Sequence, residues 1–296
     1  MRFFKKTNIP FVKFSKAAVT GSMILIAISI ISVFLLRGLN YGIDFTGGSL
    51  SQVKFDNPTT TGQIRKGLSS VNLQNSVIQK TSGVNEFLIR SPQIEGVEDI
   101  PGEIRKGLEK LENPFEVRRT ELVGPKIGEE LRGSAIWAII WAIVVIGIYI
   151  TVRFKFQFAI GAVVALIHDV LITLGIFSLL QLEISLSTIA AFLTIVGYSL
   201  NDTIVLYDRV RENMKKRHLE KIGNIINISI NEVLSRTIIT SLTTFIVVLV
   251  LAFAPGEVRI FAIAMIIGVI VGTYSSINIA GPVVIYWQQR THAKNK

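Results

Sequence analysis

The sequence of 296 residues contains no cysteine and only three histidines, and these absences exclude several kinds of chemistry. Without cysteine the chain forms no disulfide, offers no thiol nucleophile and provides no thiolate for a zinc or iron–sulfur centre. His168, His218 and His292 are too scattered along the chain to suggest a metal site. A nucleotide-binding G-x-x-x-x-G-K-[ST] loop is missing as well. We therefore expect no metal, no cofactor and no bound nucleotide.

What the sequence has in abundance is long hydrophobic runs, which hold most of the 50% of residues that are hydrophobic. Six of them are about twenty residues long, enough to cross a ~30 Å hydrocarbon layer. We place the six spans at residues 17–36, 134–152, 158–180, 184–207, 238–254 and 259–287. The first is too long for the apolar part of a signal peptide, and the last can tilt or break near Gly281-Pro282.

The net charge of +10 comes from 31 Lys and Arg against 21 Asp and Glu. Such an excess can indicate binding to nucleic acid. Here 17 basic residues fall on one side of the six spans, whereas the short turns on the other side hold only Arg259. That bias is typical of cytoplasmic loops in membrane proteins. It predicts a cytoplasmic N-terminus (1–16), a cytoplasmic C-terminus (288–296) and no nucleic-acid partner.

Residues 37–133 form a polar segment with 13 basic and 13 acidic residues, which the charge bias places outside the cytoplasm. Alternating and helical hydrophobic patterns predict the order β-α-β-β-α-β. This order is that of a small α+β ferredoxin-like domain. The predicted strands are 49–55, 75–80, 86–90 and 115–122, and the predicted helices are 60–70 and 99–111.

The stretch 208–237, between the fourth and fifth spans, also has a helical pattern. Its apolar residues Ile222, Ile226, Ile230 and Leu234 recur at steps of four, with lysines elsewhere. We expect an amphipathic helix lying on the cytoplasmic surface of the membrane. A partly ordered loop is the alternative.

Ionisable residues inside the spans are the candidate functional residues, because each costs about 2.5–3.5 kcal/mol on insertion scales. Asp169 follows His168 near the middle of the third span, Asp202 lies in the fourth, and Arg236 begins the fifth. The depths of Asp202 and Arg236 allow them to pair. Further polar residues at helical spacing lie on the same faces of the fourth and fifth spans as Asp202 and Arg236. These two polar stripes should face away from lipid. These supporting residues are Tyr198, Asn201, Thr240 and Thr244.

Two interpretations of these residues remain open. Asp202 and Arg236 form either a static ion pair or a proton relay in which Asp202 changes its protonation as Arg236 approaches and leaves. Asp169 is either a second relay carboxylate or a structural acid that is hydrogen-bonded to Thr173 or His168. A row of small residues in the sixth span, Gly268, Gly272, Ser276 and Ala280, allows close packing within the chain or against a partner.

Several segments resemble the SecF branch of the SecD/SecF family of protein-export subunits. Residues 39–49 carry the signature glycines and acid of that family: Gly42, Asp44, Phe45, Gly47 and Gly48. Residues 196–213 resemble its fourth span, and 165–169 and 235–237 match as well. Leu200 stands where isoleucine is more usual. The short external domain and the NDTIVLYDR-type segment at residues 201–209 distinguish the SecF branch from SecD.

The resemblance implies half of a twelve-helix core of the resistance–nodulation–division type, with SecD as the other half, in a bacterial cytoplasmic (inner) membrane. It implies a non-enzymatic subunit that uses the proton-motive force to draw preproteins through the SecYEG channel. YajC, YidC and membrane lipids are further candidate partners. The proton-path residues of the family carry over to Asp202 and Arg236.

Two other functions fit parts of the pattern. One is an independent proton-coupled exporter of small molecules or lipids, which would need twelve spans or a homodimer. The other is an intramembrane aspartyl protease, but that site requires a Gly-x-Gly-Asp motif, and Tyr-Ser-Leu-Asn precedes Asp202 here. The sequence does not decide between H+ and Na+ as the coupling ion.

Overall fold

The computed structural model describes residues 7–294 except 82, 95 and 98, with side chains up to residue 290. The ends of the predicted cytoplasmic segments 1–16 and 288–296 therefore lie outside the described residues. Within the described part, six helices are long and apolar enough to cross a membrane, as predicted. They are Phe11–Leu36, Pro125–Arg153, Phe156–Leu180, Leu186–Lys216, Ile222–Leu251 and Glu257–Arg290.

These spans consist of helices α1 and α5–α10. Helix α1 (Phe11–Ile31) ends in a π-helical turn, and the sixth span is made of two helices joined by a second π turn at Ser276–Ala280. The predicted break near Gly281-Pro282 is thus a π turn that ends directly before Gly281. Pro282 has no backbone N–H to donate to this turn. The remaining helices are α5 (Pro125–Arg153), α6 (Phe156–Leu180), α7 (Leu186–Lys216), α8 (Ile222–Leu251), α9 (Glu257–Ser275) and α10 (Gly281–Lys294).

Two predicted boundaries in this region are wrong. Helix α5 begins at Pro125, nine residues before the expected 134, and its first turns pack against the signature segment, where Gly128 lies against the backbone of Phe45 and Gly47. No separate surface helix occupies 208–237. Helix α7 continues to Lys216 and α8 starts at Ile222. The apolar stripe that suggested a surface helix, including Ile226 and Ile230, is buried against other helices.

The external domain has the element order that the sequence predicts. Strands β2 (Gly48–Phe55), β3 (Val77–Lys80), β4 (Glu86–Pro92) and β5 (Phe115–Val123) form an antiparallel sheet in the spatial order β3-β4-β2-β5. Helices α3 (Thr61–Ser69) and α4 (Ile100–Glu109) cover it. The order and the sheet fit the predicted ferredoxin-like domain.

Both helices of this domain start at residues that cap them. Thr60 accepts a hydrogen bond from the backbone N–H of Gln63 in a capping box, and Asp99 accepts one from Gly102. Such caps satisfy N–H groups that a helix cannot bond internally. They account for the agreement between the predicted and observed starts of α3 and α4.

The signature segment after the first span forms a joint between the spans and the external domain. Strand β1 (Asn40–Tyr41) pairs in parallel with β6 (Glu183–Ile184), in the turn between α6 and α7. In the short helix α2 (Ile43–Thr46), Asp44 accepts a hydrogen bond of 2.8 Å from the backbone N–H of Leu186 and so caps α7. Phe45 is buried among the helices.

Glycine is required at Gly47, in this joint. Its φ of 77° and ψ of 162° lie in a region that only glycine adopts readily. A Cβ there would lie 2.9 Å from the Cα of Pro125. The chain therefore turns from α2 into β2 with the backbone of α5 directly against it.

A buried arginine ties the external domain to the turns between the spans. The guanidinium of Arg90, on β4, lies 2.9 Å from Glu183 and 3.2 Å from Glu257, the first residue of α9. Ser187, at the start of α7, donates a hydrogen bond to Glu257. Burial raises the pKa of Glu183, Arg90 opposes that shift, and Glu257 and Asp44 add to it.

Replacing Gly47 with alanine should destabilise the protein by about 1–3 kcal/mol, the cost of this backbone conformation for other residues. Thermal unfolding of the purified protein in detergent measures the loss. Gly62→Ala is the control, since a Cβ at this helical position meets no atom closer than 3.9 Å. Equal stability of the two variants would contradict the claim that the backbone conformation at residue 47 is strained for alanine.

Glu183→Gln should change the pH dependence of stability. A carboxyl with a raised pKa stabilises the fold when protonated, and that contribution is lost as pH rises through the raised value. The variant should therefore match the wild type near pH 4 and gain relative stability as pH rises toward 7. Melting temperatures of both proteins across this range test the sign, and a gain confined to low pH would refute it.

Candidate functional site

Helices α7 and α9 pack closely because the row of small residues in the sixth span lies against α7. A Cβ at Gly272 would come within 3.0 Å of the Cβ of Ser199. Further along, the hydroxyls of Ser276 and Thr203 lie 3.1 Å apart, and Tyr207 donates to the carbonyl of Ala280 at 3.1 Å. The sequence left open whether this row packs within the chain or against a partner, and the structure shows that it packs within the chain.

Asp169 lies where α6, α7 and α9 meet, and its side chain is 1% exposed. His168 Nδ1 lies 2.8 Å from one carboxyl oxygen. The other oxygen accepts hydrogen bonds from Ser199 on α7 at 2.6 Å and Ser275 on α9 at 2.8 Å. The expected bond to His168 is confirmed. Thr173 instead donates to the backbone carbonyl of Asp169, as serine and threonine in helices often do.

His168 gives this cluster an unused acceptor. Its ring stacks on that of Tyr274 with centroids 6.2 Å apart. When Asp169 is ionised, Nδ1 carries the ring proton and Nε2 keeps a lone pair. Nε2 is buried and has no hydrogen-bond partner within the described part of the chain.

Asp202 is equally buried, at 3% exposure, but has far fewer partners. Among the described residues its one hydrogen bond comes from Ser241 on α8, at a long 3.5 Å. The Ser241 hydroxyl in turn lies 2.7 Å from that of Thr273 on α9. A buried carboxylate with so little hydrogen bonding is costly to keep charged. Of the two buried acids, Asp169 and Asp202, Asp202 is therefore the less satisfied.

Arg236 does not form the predicted ion pair with Asp202. No ion pair between described residues joins them, although the two are close enough for electrostatic attraction. The reason is the helix period. Asp202 faces Ser241, and Arg236 lies five residues earlier on α8, about 140° away around the helix. The depths of the two residues agree, but their faces do not, and Arg236 is exposed on the surface of the chain.

The predicted supporting residues also lie largely on this surface. Asn201 is exposed and Tyr198 half-buried on α7, while Thr240 and Thr244 are half-buried beside Arg236 on α8. The expectation that both stripes face the interior of this chain is wrong for Asn201, but Tyr198 does face inward, since its hydroxyl is buried and its side chain packs against a core cluster. Asn201, Arg236 and Thr243 are exposed, and together with the half-buried Thr240 they make up a set that we call the exposed polar strip. Polar residues on a span rarely face lipid.

Sequence reasoning missed the uncharged partners of the two acids. Ser199, Ser241, Thr273 and Ser275 are small polar residues whose role appears only when neighbouring helices are placed together. It also missed Arg90, which reads as an ordinary strand residue. A signal was present. Phe87 and Ile89 point to one face of this strand and Arg90 points to the other, and both faces carry buried residues. No group of three or more His, Asp or Glu in the described part could hold a metal ion.

Asp169→Ala should cost more stability than Asp202→Ala. The first change removes three hydrogen bonds and leaves the buried donors His168 and Ser199 without an acceptor, since only Ser275 can donate elsewhere, to the carbonyl of Gly272. The second change removes one long hydrogen bond. We expect a loss of about 2 kcal/mol or more against about 1 kcal/mol or less, measured by thermal unfolding in detergent. Asp208→Ala, at a half-exposed position 3.8 Å from Arg153, is the control. A larger loss for Asp202→Ala would contradict the geometry.

Two family models match the chain. The model described as "Protein export membrane protein SecD/SecF, C-terminal" covers residues 103–290, and the "SecD/SecF GG Motif" covers 33–59. The second match contains the joint formed by Gly42, Asp44 and Gly47. The first contains all the ionisable residues of the candidate site.

Relatives match over nearly the full length. A protein translocase subunit SecF from Desulfurispirillum indicum is 47% identical over 98% of this chain and 94% of its own. One from Rhodothermus marinus is 45% identical over 100% and 98%. The crystal structure of SecDF, a translocon-associated membrane protein from Thermus thermophilus, has a TM-score of 0.81 at 38% identity.

That match covers 96% of this chain but only 39% of the SecDF chain. A second SecDF structure, in a super-membrane-facing form, gives a TM-score of 0.76 with similar coverage. The fold, the signature joint and the buried acids thus all lie within matched regions. The chain belongs to the SecD/SecF family of protein export membrane proteins.

Proposed function

We propose that this chain acts as the SecF half of a SecD–SecF pair, which uses the proton-motive force to promote movement of preproteins through the SecYEG channel. The observation that carries the proposal is Asp202, a buried carboxylate with one long hydrogen bond and an arginine nearby but not in contact. Such a carboxylate changes its charge with little rearrangement of hydrogen bonds. It is therefore suited to accept and release a proton.

Arg236 makes this change of charge mechanical. While Asp202 is ionised, it attracts the guanidinium across the boundary between α7 and α8. When a proton neutralises Asp202, that attraction is lost, and α8 is free to shift against α7. Alternation between these two arrangements would couple proton passage to helix movement.

Asp169 is the second candidate relay, together with His168. The open Nε2 of His168 supports a proton-holding role. The three hydrogen bonds of Asp169 support a structural role as a clamp on α6, α7 and α9. The variant Asp169→Asn distinguishes the two roles. If Asp169 is a relay, the variant loses its response to the proton gradient and keeps its stability. If Asp169 is a clamp, the variant loses stability.

The exposed polar strip supports SecD as the partner that completes the site. Arg236 on the surface of a span is costly in lipid, and a neighbouring subunit that brings a carboxylate would offset that cost. The SecDF chains that this protein resembles are more than twice as long, which leaves room for such a second half. SecYEG, YajC, YidC and membrane lipids are proposed as further partners.

The positive charge on the loops supports an orientation with both termini in the cytoplasm and the external domain on the opposite side of a bacterial inner membrane. An independent exporter is less well supported, because the relatives carry the name of a protein translocase subunit. The same names describe no enzyme. Asp202 and Arg236 therefore serve transport in this proposal, with proteins as the cargo.

Asp202→Asn and Arg236→Met should each abolish the part of export that depends on the proton gradient. The assay uses inverted membrane vesicles that contain the SecD partner, with the gradient imposed or collapsed. We expect a loss of at least about tenfold in gradient-dependent export, within the range of coupling between linked sites. Membrane insertion and co-purification with SecD should persist.

The matched controls carry the same changes near the C-terminal end of α7, the end farthest from the external domain. Asp208→Asn and Arg211→Met alter residues that lie outside the cluster around Asp202, and both should export like the wild type. Full gradient-dependent export by Asp202→Asn would end the relay proposal. Loss of co-purification in the wild type would favour the independent exporter instead.

A further inference from the structure

Arg90, which we include in the joint between the spans and the external domain, connects parts of the chain that are remote in sequence. Its side chain is 4% exposed and bridges two carboxylates, at 2.9 Å to Glu183 and 3.2 Å to Glu257. Glu183 belongs to the turn between α6 and α7, and Glu257 is the first residue of α9. One guanidinium of the external domain therefore holds the outer ends of two spans.

The same two helices carry the candidate site at greater depth. Asp202 lies on α7, and Thr273 and Ser275 lie on α9. Between the joint and the site, α7 and α9 are locked together by close contacts such as that of Gly272 with Ser199. Because helices are stiff, a shift at the site displaces their outer ends as well.

The charges around the joint make it a specific contact. Arg90 faces two carboxylates, and Asp44 of the signature segment acts on Glu183 as well. Separating Arg90 from both partners would leave a buried cation without a counter-ion, which is strongly unfavourable. The external domain thus cannot move freely of α7 and α9 while the joint is closed.

We propose that Arg90 is a positioning residue that makes the external domain move together with the outer ends of α7 and α9. The inference rests on the proposed proton-driven function, and adds the path by which helix movement reaches the domain outside the membrane. Asp44, which caps α7 in the same joint, fixes the end of that helix. The family signature thereby becomes part of the transmission.

Arg90→Gln tests the proposal, with Arg118→Gln as the matched control. Arg118 also contacts two glutamates, Glu86 at 3.3 Å and Glu116 at 3.6 Å, but both lie within the external domain. Gradient-dependent export should fall at least about fivefold in Arg90→Gln and stay at the wild-type level in Arg118→Gln. Export with the gradient collapsed should be the same in all three proteins.

A second measurement reports the joint itself. Because the chain lacks cysteine, spin labels at Lys66→Cys on α3 and Val258→Cys on α9 give one distance between the domain and the spans. The distribution of that distance should be narrow in the wild type and in Arg118→Gln, and broad in Arg90→Gln. Glu257→Gln, which frees α9 alone, should broaden it too and serves if Arg90→Gln does not fold.

The outcomes separate the two proposals. Gradient-dependent export within about twofold of the wild type in Arg90→Gln would overturn the inference, because such a change is smaller than coupling between linked sites usually is. So would a narrow distance distribution in a variant that has lost export. A wild type without any response to the gradient would instead overturn the proposed function, on which the inference rests.

Discussion

No water reaches the middle of a lipid bilayer, so the polar groups buried in the spans must find partners within the protein. Asp169 meets this constraint most fully. Its three hydrogen bonds come from α6, α7 and α9, and they require these helices to lie in one register. The close packing of Gly272 on Ser199 follows the same register. Asp202 meets the constraint less fully than Asp169, with one long hydrogen bond among the described residues.

In the proposed relay, this contrast between two buried acids divides the bundle into a fixed part and a changeable part. The fixed part surrounds Asp169, where each carboxyl oxygen is occupied. The changeable part lies at the boundary of α7 and α8, where Asp202 and Arg236 attract each other without contact. Natural proteins often leave local rules unsatisfied where they work, and pay for it in stability elsewhere. In the proposed mechanism, Arg90 then links the changeable part to the external domain.

The number of spans and the order of the external domain were predictable because both depend on local patterns. A run of about twenty apolar residues predicts a membrane-spanning helix. Capping residues such as Thr60 and Asp99 mark helix starts in the sequence itself. The pairing of Asp202 with Arg236 was not predictable, since depth along a helix leaves its rotation undetermined. The donors Ser199 and Ser275 were out of reach because they depend on how three helices meet. The pattern at Ile226 predicted a helix correctly but could not tell lipid from a neighbouring helix.

The exposed Arg236 has a consequence for how much of this protein a cell can hold. A chain that has not met its partner presents a cation to the hydrocarbon, which the membrane tolerates poorly. In the proposed pair with SecD, a chain made in excess of its partner would therefore be the less stable form in the membrane, and the amount of the partner would limit the amount of this chain.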